Sequence, residues 1–266
     1  MSKQLAFTVD GTTSAFASFV YALPFYFICM LCLSLAGVSW WEYQGDFILF
    51  VFLRALVDTV AETLKMYAFM YADISILAGV FAISPLLLLI LSPLVTGDVL
   101  RWYHVVALTC IVAGSLVLSW RSGTHSLLAQ KKGIIIGLVS AVFFALNTCL
   151  DRLAAQHSSA VFSGFSMTIL SALFILPFMF RAQRIQGLKG NAKGFLWRGF
   201  FEAGFMITRL WALQFYSAPF VMTVQKLSVV LSIVGGKFAF DEKDFFRRLV
   251  AGGLVLVGVI VALWQE

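Results

Sequence analysis

The stretch FLRALVDTVAETLKMYAF, residues 52–69, lies inside a long apolar segment yet carries Arg54, Asp58, Glu62 and Lys65. An α-helix advances about 100° per residue, so Asp58, Glu62 and Lys65 fall about 40°, 80° and 20° from Arg54 on the helical wheel. The charges therefore form one stripe, while Phe50, Phe52, Leu53, Leu56 and Val60 keep the rest of the helix apolar. A charge at the centre of a membrane helix costs about 2.5–3.5 kcal/mol on insertion scales. The stripe thus predicts a polar cavity or a partner helix beside it rather than lipid.

That a membrane is the relevant solvent follows from composition. Of 266 residues, 61% are apolar and 12% charged, against roughly 45–50% and about 25% in soluble domains. The apolar residues come in blocks of the length that crosses a bilayer as a helix, about 20 residues. Strand-like alternation is absent, which argues against a barrel. The net charge is +6, but the basic residues sit mostly in short connections, as orientation signals do, so nucleic acid is not implied. The first apolar block is too long for the core of a cleavable leader. Cys29, Cys32, Cys110 and Cys149 all lie in apolar blocks and read as small hydrophobes. His104, His125 and His157 are scattered without ligand spacing, so neither metal nor other cofactor is expected.

The predicted fold is all-α integral membrane, with about nine transmembrane helices at 14–37, 47–70, 74–96, 104–120, 133–154, 161–180, 195–215, 219–239 and 249–264. A shift of 144 positions lays the second, third and fourth segments on the last three without a gap. Arg54 meets Arg198, Asp58 meets Glu202, Lys65 meets Arg209 and Asp98 meets Glu242. Ala107 meets Ala251 and Gly114 meets Gly258. Apolar matches come cheaply in such a chain, but charge-type matches in one ungapped register do not. The division is a first repeat over 1–120 and a second over 133–266, holding four and five helices. An odd-numbered repeat places its copies in opposite orientations, the inverted arrangement of many secondary transporters.

MYAFMYADISILAGVFAISPLLLLILSPLVTGDVLRWYHVVALTCIVAGSLVL (66–118) and LWALQFYSAPFVMTVQKLSVVLSIVGGKFAFDEKDFFRRLVAGGLVLVGVIV (210–261) resemble the drug/metabolite transporter superfamily in its ten-helix EamA-type form. Ala68, Pro85, Asp98 and Gly114 fit the pattern in the first copy, and Ala212, Glu242, Gly252 and Gly258 in the second. Asp98 stands where a Glu is usual, and Val229 replaces the central Pro. The resemblance implies a permease rather than an enzyme. The segment at 133–154 finds no counterpart, so a first helix of about 20 apolar residues is expected upstream of Met1. Without it, the expectation is that Arg54, Asp58 and Glu62 meet hydrocarbon along part of their helix.

Arg54, Asp58, Arg198 and Glu202 have two readings, pairs that hold the halves together or contacts to a ligand. Glu62 has Met206 as its counterpart and so belongs to one side only. Lys65 and Arg209 are expected to snorkel from helix ends. Lys226, beside Gln225, stands well inside the 219–239 segment with no acid within a turn, and a cavity role is expected for it. Asn147 is deep enough to line the cavity or join helices, whereas Asp151, next to Arg152 near a helix end, reads as a boundary residue.

The function expected is a secondary transporter moving a small polar metabolite, an amino acid or related compound, across the inner membrane by alternating access. A membrane-embedded lipid-modifying enzyme and an inactive truncated transporter are the alternatives. Asp58, Glu62 or Glu202 could carry a coupling proton. The partners are the small solute and the lipid bilayer, a homodimer being compatible. Lys and Arg gather in 121–132, 181–194 and 241–248, on one face. The positive-inside rule makes that face cytoplasmic, while the resemblance implies both termini in the cytoplasm and these loops outside.

Overall fold

The computed structural model describes residues 11–72, 74–119, 130–180, 190–228 and 245–265. Among them there is no strand, only an isolated bridge between Tyr43 and Ser158. The helices are α1 (Gly11–Val20), α2 (Leu23–Leu35), α3 (Phe47–Tyr71), α4 (Ile74–Phe81), α5 (Ser84–Val95), α6 (Trp102–Ser119), α7 (Lys131–Gln156), α8 (Ala160–Ile175), α9 (Ala192–Phe215), α10 (Ala218–Gln225) and α11 (Phe245–Gln265). The chain is an all-α membrane protein. Gly11–Leu35, Lys131–Gln156 and Ala160–Met179 are long and apolar enough to cross a bilayer. Helices α3 and α9, of 25 and 24 residues, have the length but carry the charges.

Prolines divide two of the expected segments. The 14–37 segment breaks between α1 and α2, where Pro24 opens the second helix and Ala22 N–H reaches back to Phe19 O at 3.1 Å. The 74–96 segment breaks between α4 and α5 ahead of Pro85, with Ile83 N–H on Val80 O at 3.2 Å. Proline lacks the N–H that a continuous helix would use, so the chain tightens into i→i−3 bonds and bends. Gly199 of α9 presses against the Tyr21 backbone at the first bend, leaving no room for a side chain. Of the 219–239 segment, α10 and the residues to 228 are described; Val229, Glu242 and most of 241–248 lie outside the described residues, as do 121–129 and 181–189.

Helices α3 and α9 end at equivalent positions, since Tyr71 and Phe215 differ by the 144-residue shift. Both leave the helix through an extended cap, Ala72 (φ −145°, ψ 155°) and Tyr216 (φ −118°, ψ 156°). Helices α6 and α11 meet through Gly114 and Gly258. A Cβ at Gly114 would lie 2.6 Å from Ala251 O, and one at Gly258 would lie 2.6 Å from Ala107 O. Small residues allow such close approach in membranes, and the crossed pairing means that α6 and α11 run antiparallel. Large apolar side chains cover the outside, among them Phe27, Leu31, Ile48, Leu94 and Ile260. Such a surface suits lipid, which solvates hydrocarbon as water does not.

Candidate functional site

Helix α7 lies along α3 and covers its charged stripe. Gly133 fits against Tyr71 and Ala72, Gly137 against Leu77, and Ser140 Oγ donates to Ala61 O at 2.9 Å. Arg54, Asp58 and Glu62 are consequently buried, at 5, 6 and 7% exposure. This corrects the expectation that these residues meet hydrocarbon: Asn147 and Asp151 of α7 and Arg198 of α9 already stand against that face.

The charges join in two clusters. Arg54 Nη1 donates to Asp58 Oδ2 at 2.6 Å, one turn along α3, and Arg54 Nε donates to Asp151 Oδ1 of α7 at 2.8 Å. Asp151 also pairs with Arg209 of α9 at 2.9 Å, and Arg209 Nη2 donates to Thr148 Oγ1 at 2.8 Å. Asn147 Nδ2 donates to Asp58 Oδ1 at 2.7 Å. In the second cluster Glu62 accepts from Arg198 Nη2 at 3.2 Å and pairs with Lys65. Arg198 Nη1 also donates to Ser14 Oγ at 3.2 Å. Early α3 is thus tied to late α9, and later α3 to early α9, so these helices run in opposite directions past each other.

Between the clusters lies a cavity of about 210 Å³ lined by Arg54, Asp58, Glu62, Lys65, Asn147, Glu202 and Arg209, with Phe19, Phe144 and Phe205 among the apolar walls. Drug-sized pockets run to about 300–1,000 Å³, so this space suits a smaller guest. Most of the wall is buried. Glu202 and Phe205 are exposed, and Lys65, Phe144 and Arg209 are half-buried, which marks a lateral mouth beside α9.

Several residues take places other than those expected. Asp151 is fully buried and joins three helices; it is no boundary residue, because α9 brings Arg209 across to it. Lys65 and Arg209 do not snorkel but turn inward to carboxylates. Lys226 is the C-cap of α10, its N–H bonding Thr223 O at 3.1 Å, and the remainder of its expected segment lies outside the described residues. Gln225 and Lys226 do not line the cavity, and Arg198 reaches it through Glu62.

Asp98, by contrast, has a role the spacing did not reveal. It accepts from Ser92 Oγ at 2.7 Å and from the Ala218 N–H at 3.2 Å, and it pairs with Arg152 Nε at 2.8 Å. A carboxylate from another segment therefore caps α10, whose own N-cap, Ser217, makes no side-chain cap bond. Arg152 completes the junction by donating to the carbonyls of Leu213 and Tyr216.

A family model described as the EamA-like transporter family matches residues 131–264. No curated protein matches the sequence. A solved structure described only as the crystal structure of a protein aligns with a TM-score of 0.72 at 16% identity, over 100% of this chain and 95% of that one. At that identity the likeness speaks for the fold alone.

Proposed function

This chain belongs to the EamA-like transporter family, and on that premise we propose that it carries a small polar metabolite across the inner membrane by alternating access. The observation that supports this reading best is the buried charged cavity, whose ion pairs join α3 to α7 and α9. Buried charge in a membrane helix is expensive and marks solute or ion pathways. A site between repeats near the bilayer midplane is the arrangement that lets one half rock against the other. In this reading the halves 1–120 and 133–266 are the inverted repeats. The Arg54–Asp151–Arg209 bridge closes the cavity toward the face bearing Asp98, and its parting opens that route. Lys131, Lys132 and Lys193 lie at the other face, which the positive-inside rule makes cytoplasmic.

Solute counterflow in liposomes containing the purified chain tests this. A labelled mixture of amino acids and small amines is expected to accumulate only when unlabelled solute is trapped inside. Asp151→Leu is expected to abolish counterflow. Equal, passive accumulation in protein-free liposomes would remove the support for transport.

A further inference from the structure

Asp58 and Glu202 are counterparts in the 144-residue register, and each has an arginine four positions before it. Their surroundings differ completely. Asp58 is held by Arg54 and by Asn147. Glu202 makes no ion pair among the described residues, because Arg198 turns instead to Glu62 and Ser14. Nor is Glu202 covered as Asp58 is: Glu202 is exposed, whereas Asp58 is buried beneath α7. Glu202 nevertheless lines the cavity.

A second acceptor stands in the same wall. Asn147 is 3% exposed, its Nδ2 is committed to Asp58, and its Oδ1 has no hydrogen-bond partner. A buried acceptor left unpaired costs about 1–3 kcal/mol, a cost that a guest bearing N–H groups would relieve. The cations of the wall, by contrast, are each held by a carboxylate, although Arg209 Nε makes no hydrogen bond. Arg54 and Arg209 are engaged by Asp151, and Lys65 and Arg198 by Glu62. An anionic guest would have to break an existing pair. The Phe144 ring of the lining already carries an ammonium, Lys65 Nζ lying 5.2 Å from its centroid, the kind of contact that aromatic faces make with such groups.

We infer that the cavity recognises solutes carrying a protonated amine, with the Glu202 carboxylate as counter-ion and Asn147 Oδ1 accepting an ammonium N–H. The assignment rests on the cavity being the transport site. It is nevertheless read by binding alone, so absence of flux and absence of amine recognition remain separate results. Simple amines and zwitterionic amino acids share the ammonium, and the test separates them.

The experiment measures the unfolding midpoint of the purified full chain in a neutral detergent against rising n-butylammonium, butyramide, butyrate and 4-aminobutyrate. Butylammonium is expected to protect, and butyramide and butyrate are not. Protection by 4-aminobutyrate as well would extend recognition to zwitterions that present the same ammonium. Glu202→Gln is expected to weaken butylammonium binding about tenfold or more, the worth of a charge-assisted hydrogen bond, and Glu202→Asp to retain part of it. The inference is overturned if butyrate or butyramide protects as well as butylammonium. It also fails if 4-aminobutyrate protects and butylammonium does not, or if Glu202→Gln binds butylammonium as wild type does. Should Glu202→Gln not fold, the four-compound series on the wild-type chain decides by itself.

Discussion

Arg54 and Asp151 stand 97 positions apart in the chain, and Arg54 Nε donates to Asp151 Oδ1 across 2.8 Å between α3 and α7. Asp151 compensates Arg209 as well, so a single carboxylate joins α3, α7 and α9. Removing one partner of a buried pair leaves an uncompensated charge at about 3–5 kcal/mol. Asp151→Leu is therefore expected to lower the unfolding midpoint sharply and reduce the yield of folded protein. The pairing of Arg54 with Asp58 makes the loss of Arg209 compensation the larger part. Combining Asp151→Leu with Arg209→Leu should then recover some stability. A double variant no more stable than Asp151→Leu would contradict the coupling.

The α6–α11 contact predicts a matched pair of variants. Gly114→Val and Gly258→Val each drive a side chain into the carbonyl facing it, Ala251 O or Ala107 O. Overpacking of this kind costs about 1–3 kcal/mol, and the two variants should cost similar amounts. Gly253→Ala faces open space and should be neutral or slightly stabilising, since Ala replaces Gly in a helix at a gain of about 0.5–1 kcal/mol. Thermal unfolding of the three proteins in detergent checks the order.

Loss of the cap on α10 is a third case. Asp98→Ala removes the acceptor for Ala218 N–H and the counter-charge of Arg152 together. Asp98→Asn keeps an acceptor but not the charge. The Ala variant should be the less stable by about 1 kcal/mol, the usual worth of an N-cap. Equal midpoints for the two variants would show that the carboxylate acts on Arg152 alone.

Helix directions give a topological prediction. Gly11 of α1 packs against Met66, near the end of α3, while α11 runs antiparallel to α6 through the crossed glycine contacts. The chain alternates direction from α3 through the α4–α5 segment to α6, so the start of α1 and the end of α11 lie at opposite faces. Reporter fusions to the two ends are expected to report opposite sides, the amino end cytoplasmic. Two fusions reporting the same side would refute it.

The helical membrane class was legible in the sequence because lipid leaves backbone groups no partner outside a helix or closed barrel, so apolar length and period alone select the element. The stripe at Arg54, Asp58 and Glu62 was legible for a related reason. Helical spacing fixes which residues share a face, and hydrocarbon forbids that face from being bare. Ala107 and Gly114 were visible as counterparts of Ala251 and Gly258, but not as each other's contacts. The partners of each charge were decided only by tertiary structure. Asp151 looks like a boundary residue until α9 supplies Arg209. Lys65 and Arg209 look free to snorkel until Glu62 and Asp151 stand opposite. Asp58 and Glu202 occupy equivalent positions, yet α7 covers one and the other is exposed. Helical periodicity acts over a few residues along one segment, whereas an ion pair needs two segments brought together across the bundle, and that distance is set by the packing of whole helices.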